Sequence, residues 1–278
     1  MSCHLNSHPI HSSVSKQSPG DLPRIFWCPV SSYPCSGIYD AQHSQPGHKV
    51  SHFVVSSYYV PTLSILVPSP NPDVAPSGDF RLLAVRQPSS DGLSRLPGVA
   101  TELEHIRAAI RNSRTTLLKS PVSTVEEVLA LMNEADWVHF ACHRIQDAAR
   151  PTESGLCLAD RRRLKISDII ALSRPRGGLA FLSACETATG NEHLSDEAIH
   201  IAAGMLFAGY GGVIGTMWSI SDELAPVVAK DVYRQLFRNG TRPDYRDAAR
   251  ALHGAIGRLR DSPEASFVSW LPFIHVGL

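Results

Sequence analysis

The sequence predicts an α/β domain built on a mostly parallel sheet, and three observations predict it. Short apolar runs such as WVHFAC, GLAFLSAC and GGVIGTMW have the length and composition of buried strands. Longer segments between them place apolar residues three and four positions apart, the period of an amphipathic helix. The two kinds alternate along the chain, as a βαβ architecture demands.

Taken in order, residues 1–22 are rich in Ser, His and Pro and lack any period, so they read as a flexible N-terminal arm; the domain spans 23–278. RIFWCPV, SHFVVSSYYV and DFRLLAVRQ are β-branched and aromatic runs bounded by Pro, Gly and Ser, and are predicted strands. LPGVATELEHIRAAIRN and VSTVEEVLALMNEAD are predicted helices, with Thr101 and either Ser123 or Thr124 as N-caps. TTLLK, WVHFAC, GLCL, GLAFLSAC and GGVIGTMW supply the strands of the parallel sheet. The remaining helices are LSDEAIHIAAGMLFAGY, ELAPVVAKDVYRQLFRNG and YRDAARALHGAIGRLR. Ser195 caps the first of these, Asp196 and Glu197 complement its dipole, and Gly240 stops the second.

The 278 residues are 43% hydrophobic, enough to bury a substantial core. Twenty-six basic and 26 acidic residues cancel, so no global field draws the chain to nucleic acid or to an anionic membrane, and neither is an expected partner. No apolar run approaches the ~20 residues of a membrane span, and the N-terminus lacks a signal-peptide pattern. The expected location is the cytosol or nucleus, where the six cysteines stay reduced thiols.

WVHFACH is an apolar strand ending in an imidazole, and GLAFLSAC is one ending in a thiol. Ligands of an open parallel sheet sit beyond the carboxyl ends of its strands, so His143 and Cys185 are expected at one edge. A thiol there becomes a nucleophile if a nearby imidazole takes its proton, or already stands protonated beside a thiolate. The backbone N–H of Cys185, at a strand-to-loop turn, is a candidate oxyanion donor. His139 stands at HxxxH spacing with His143, but no third ligand has convincing spacing, so neither a metal nor any cofactor is expected. GYGGVIG follows a helix and precedes a strand, the reverse of a phosphate-binding fingerprint. Arg161 to Arg163 read as a solvated turn, Cys28, Cys35, Cys142 and Cys157 as core or surface thiols, and His193 and His200 as helix-surface or packing residues.

HFACH (139–143), LSACETATG (182–190), GGVIGTMWSISD (211–222) and WLPFIH (270–275) together resemble the CHAT domains, relatives of caspases and separases, and in particular their fungal members. The resemblance covers roughly residues 23–278 and implies a caspase-like three-layer α/β/α sandwich. It implies a cysteine endopeptidase with His143 as general base, Cys185 as nucleophile and the N–H groups of residues 144 and 185 at the oxyanion. It places Asp222 at the floor of the pocket for the residue before the cut. A carboxylate there favours Arg or Lys in a protein or peptide substrate. Asp222 also reads as the N-cap of the helix containing Val227 to Phe237. Many CHAT domains follow helical repeats that sense a signal; none is visible in this sequence, so the resemblance implies either a helical-repeat sensor as a separate partner, or an upstream region that carries it, or a stand-alone or reduced copy.

Two departures from the family pattern stand out. Arg144 replaces the usual Gly after the catalytic His; if that position needs φ above zero, the side chain costs about 1–2 kcal/mol and tilts the oxyanion donor. This supports an alternative reading, a catalytically silent signalling module. WCPVSSYPCSGIYD is shorter than the corresponding family segment, which clips a loop or strand end.

Overall fold

The computed structural model describes residues 24–26, 55–57, 79–89, 92–111, 113, 115–119, 124–145, 147, 149–159, 162–172, 177–183, 185–186, 196–218, 220–262 and 266–278. In chain order, β1 (Arg24–Phe26) and β2 (Val55–Ser57) pair in parallel as a small sheet of their own. They are followed by β3 (Phe80–Arg86), α1 (Gly98–Ile110), β4 (Thr115–Lys119), α2 (Val125–Glu134), β5 (Trp137–Ala141) and β6 (His143–Ile145). Next come β7 (Gly155–Cys157), β8 (Arg163–Lys165), α3 (Ile166–Ile170), β9 (Leu179–Leu182) and β10 (Cys185–Glu186). The chain ends with α4 (Asp196–Phe207), β11 (Gly212–Thr216), α5 (Leu224–Leu236), α6 (Ala248–Arg260), α7 (Phe267–Trp270) and β12 (Phe273–Gly277).

The central sheet has the order β12-β11-β9-β5-β3-β4 and is parallel except for β12, which runs antiparallel to β11. Its strands are apolar on both faces, and the period of two divides each strand between two cores. Leu83, Val138, Phe140, Ala180 and Val213 meet Val128 and Met132 of α2, Ile169 of α3 and Met205 of α4. Leu82, Trp137, Phe181 and Ile214 meet Ile106 of α1, Val232 and Tyr233 of α5 and Leu252 of α6. The expected three layers are therefore present.

Other expectations are corrected. GLCL was expected in the parallel sheet, but β7 belongs to a second sheet of order β10-β6-β7-β8, antiparallel except for the β10·β6 pair. Gly155 permits this hairpin, since a Cβ there would lie 2.3 Å from the Leu164 carbonyl oxygen. Arg163 opens β8 instead of belonging to a solvated turn; exposed Arg162 pairs with Glu126. Helix α1 begins before Thr101, at Gly98 behind Pro97, whose fixed φ suits a helix start. Thr124 caps α2 as expected, its Oγ1 accepting from the Glu127 N–H at 3.3 Å. Gly240, at φ 66°, ends the turn after α5, where its N–H donates to the Phe237 carbonyl. Ser123, Ser195, His193, Arg161 and the WCPVSSYPCSGIYD segment lie outside the described residues. No helix among the described residues is long and apolar enough to cross a membrane.

Candidate active site

From β3 the chain moves outward to β4, then returns past β3 to β5, β9 and β11. The winding reverses between β3 and β5, and loops diverging at such a point leave a crevice at the carboxyl ends of the strands. The loop after β3 carries Ser94, and the chain leaving β5 carries His143.

The strands β5 and β9 advance in step. Phe140 pairs Leu182 on the central sheet, and three residues further along each chain His143 pairs Cys185 on the second sheet. Adjacent strands lie about 4.8 Å apart, so the two backbones are immediate neighbours. The strand-end logic of the sequence thus finds its partners, and a second sheet, which the sequence did not reveal, supplies the register.

His143 is 1% exposed. Its Nε2 lies 2.7 Å from the carbonyl oxygen of Ser94, which can only accept, so Nε2 carries the hydrogen. In the neutral ring Nδ1 is then the basic nitrogen. It is buried and has no hydrogen-bond partner among the described residues. Two hydroxyls at the same sheet edge share that condition, Ser183 Oγ just after β9 and Thr216 Oγ1 at the end of β11. Buried polar atoms are rarely left unpaired, and three together make this edge fit for a polar ligand. Nothing in the sequence singled out Ser94, because its contribution is a backbone carbonyl.

Arg144 is 4% exposed and lies within β6, in register with Leu156 on one side and Glu186 on the other. That is extended backbone, which any side chain adopts, so the strain expected at this position has no basis in the fold. The guanidinium Nη1 donates to the Thr216 carbonyl at 3.1 Å, tying the second sheet to the end of β11. Beyond Ile145 lies a groove of about 510 Å³ lined by Asp147, Arg150, Glu153, Arg162, Arg163, Lys165 and Asp168. Its ion pairs, Arg150–Asp147 at 3.1 Å and Lys165–Glu153 at 2.6 Å, leave it mixed in sign.

Asp222 precedes α5 but does not cap it; the N-cap position is Glu223. Its Oδ2 instead accepts from the N–H of Gly98 at 2.5 Å, at the head of α1. The cap read from the sequence therefore exists on a different helix, reached across the fold. His139 also separates from His143: it faces the α1 and α5 layer, with Nε2 3.2 Å from Glu102 Oε1 and Nδ1 3.2 Å from the Tyr233 hydroxyl. Among the described residues no three His, Cys, Asp or Glu side chains are grouped to hold a metal. Cys142 and Cys157 are buried, and burial pushes the Cys157 thiol up against a smaller opposing pull from Arg163. His200 is exposed on α4.

Among solved structures, the complex of the pro- and mature domains of Porphyromonas gingivalis RgpB is 10% identical, with a TM-score of 0.59; the match covers 92% of this chain and 64% of that one. The crystal structure of the Arg-specific cysteine proteinase gingipain R (RgpB) is 11% identical, with a TM-score of 0.50, covering 71% of this chain and 46% of that one. The Saccharomyces cerevisiae separase–securin complex is 13% identical over 72% of this chain and 12% of that one, with a TM-score of 0.42. This chain therefore spans less than two thirds of each of these proteins. At such identities the likeness to RgpB is one of fold, the caspase-like arrangement of a mostly parallel sheet between helices. No curated protein sequence matches the chain. The family model described as the CHAT domain matches residues 10–278, and the chain belongs to the CHAT domain family.

Proposed function

We propose that this CHAT domain is a cysteine endopeptidase in which Cys185 is the nucleophile and His143 the general base, acting on a protein or peptide after Arg or Lys. The observation that carries the reading is the state of His143. Its Nε2–H is committed to the Ser94 carbonyl, its basic Nδ1 has no hydrogen-bond partner among the described residues, and its backbone lies one strand spacing from that of Cys185. An imidazole so fixed takes the thiol proton, the thiolate attacks the scissile carbonyl, and the same nitrogen returns the proton to the leaving amine. Water then releases the acyl group from Cys185. The developing oxyanion is met by the N–H groups of Cys185 and Arg144. Cys185 suits this because β10 is the outermost strand of its sheet, with one side unpaired among the described strands.

Asp222 is the acidic contact for the basic side chain. Its Oδ2 is taken by Gly98, while Oδ1 has no hydrogen-bond partner among the described residues and the residue is half-buried. A carboxylate in that state can pair a guanidinium. RgpB, named as Arg-specific, has the same fold, which agrees with this reading.

The test is labelling with an acyloxymethyl ketone bearing Arg at its reactive end, together with fluorogenic peptides. Cys185 should be modified in the native protein and spared in His143→Ala, and cleavage should follow Arg or Lys. Labelling that persists in His143→Ala would refute the dyad; equal cleavage after Asp or Leu would refute the specificity.

A further inference from the structure

Two contacts that look unrelated meet on one short stretch of chain. Ser94 accepts from His143 Nε2 at 2.7 Å, and four residues later Gly98 donates its N–H to Asp222 Oδ2 at 2.5 Å. Between them Leu96 is buried with Val99 and Ala141, and Ile220 packs against this small cluster. Ala141 is two residues before His143, and Ile220 two residues before Asp222. The segments 94–98, 141–143 and 220–222 therefore share one apolar nucleus and two polar ties.

The tie at Gly98 is close. A Cβ there would fall 2.2 Å from the Asp222 carbonyl oxygen and 2.8 Å from Oδ2, so only glycine allows this approach. Pro97, the N-cap of α1, makes no side-chain cap hydrogen bond, and the Asp222 carboxylate supplies an acceptor at the helix's positive end. Four residues reach at most ~15 Å, with Leu96 pinned between, so a displacement at Gly98 is passed to Ser94 instead of being absorbed.

We propose that Asp222 is a positioning residue for the base: by clamping Gly98 at the head of α1 it fixes the Ser94 carbonyl that orients His143. This rests on the dyad and basic-pocket reading above and adds to it a link between substrate recognition and chemistry. One carboxylate oxygen holds the loop and the other meets the substrate cation. The same side chain therefore acts on turnover as well as on affinity, because misplacing a base by a fraction of a bond length lowers its rate.

The experiment uses the whole chain and iodoacetamide, a small neutral electrophile that does not occupy a basic pocket. Alkylation of Cys185 is followed by peptide mass spectrometry from about pH 5 to about pH 9, the range over which an imidazole titrates. Asp222→Ala is expected to slow alkylation about tenfold near neutral pH and to move its pH profile toward that of His143→Ala. Asp222→Asn, whose amide oxygen still accepts from Gly98, should recover most of that loss, although both variants lose Arg substrates. Gly98→Ala opens the clamp while keeping the carboxylate charge, so alkylation of Cys185 by iodoacetamide should slow as it does in Asp222→Ala; it also serves if Asp222→Ala does not fold. A wild-type alkylation profile in Asp222→Ala or in Gly98→Ala, or no recovery in Asp222→Asn, overturns the positioning role. If His143→Ala itself leaves the profile unchanged, the dyad reading has failed, and that outcome is distinct from the others.

Discussion

Glu102 and His139 face each other at 3.2 Å, each with a side chain 2% exposed, in the layer between α1, β5 and α5. Glu102 Oε1 and His139 Nε2 stand within ion-pair distance but without the alignment of a hydrogen bond. The contact joins the helix that follows the Ser94 loop to the strand that leads into His143. Removing one partner of a buried pair strands the other in a low dielectric. Glu102→Ala should therefore cost about 3–5 kcal/mol of unfolding free energy, and Glu102→Gln less. Urea titration measures the difference.

Tyr233 completes that group through its hydroxyl, and burial first, then the Glu102 carboxylate, raise its ionisation well above the ordinary phenol range. The folded state keeps a proton that the unfolded chain gives up near pH ~10, so this contribution is whole below that pH and is lost as pH rises beyond it. The loss proceeds at up to about 1.4 kcal/mol per pH unit. Tyr233→Phe should be less stable by about 1 kcal/mol at neutral pH, for the lost hydrogen bond, and should show a shallower decline above pH ~10. Unfolding midpoints of both proteins across alkaline pH test this.

Arg144→Gly restores the residue of the CHAT pattern, yet the fold predicts no gain from it. The exchange removes a buried side chain and its hydrogen bond to the Thr216 carbonyl, and puts glycine inside a paired strand. We expect a loss of about 2–4 kcal/mol in stability and no faster alkylation of Cys185. A faster rate at unchanged stability would show that the arginine obstructs the site.

Native alkylation should discriminate among the thiols. Cys142 and Cys157 are buried, and burial holds the Cys157 thiol protonated at neutral pH. Both should react with iodoacetamide only after unfolding, whereas Cys185 reacts in the native protein. Peptide mapping with and without denaturant separates the two classes.

Much of this was legible in the chain. The apolar runs of β3, β5, β9 and β11 announced buried parallel strands because a strand covered on both faces has no polar side to show. Placing His143 and Cys185 at the ends of two such runs was enough to bring them to one edge. The β7 run GLCL was misplaced because four apolar residues look alike in a central strand and in a hairpin. Asp222 was assigned to the helix that follows it in sequence, whereas its carboxylate caps one that begins 124 residues earlier.

The sequence by itself determined the three layers, the strand-end residues and the family, because these rest on local periodicity and on residue types close together in the chain. Tertiary structure alone decided what orients the imidazole and what the Asp222 carboxylate holds. Both depend on backbone groups, the Ser94 carbonyl and the Gly98 N–H, which every residue carries and which acquire a role only when distant segments are packed against one another.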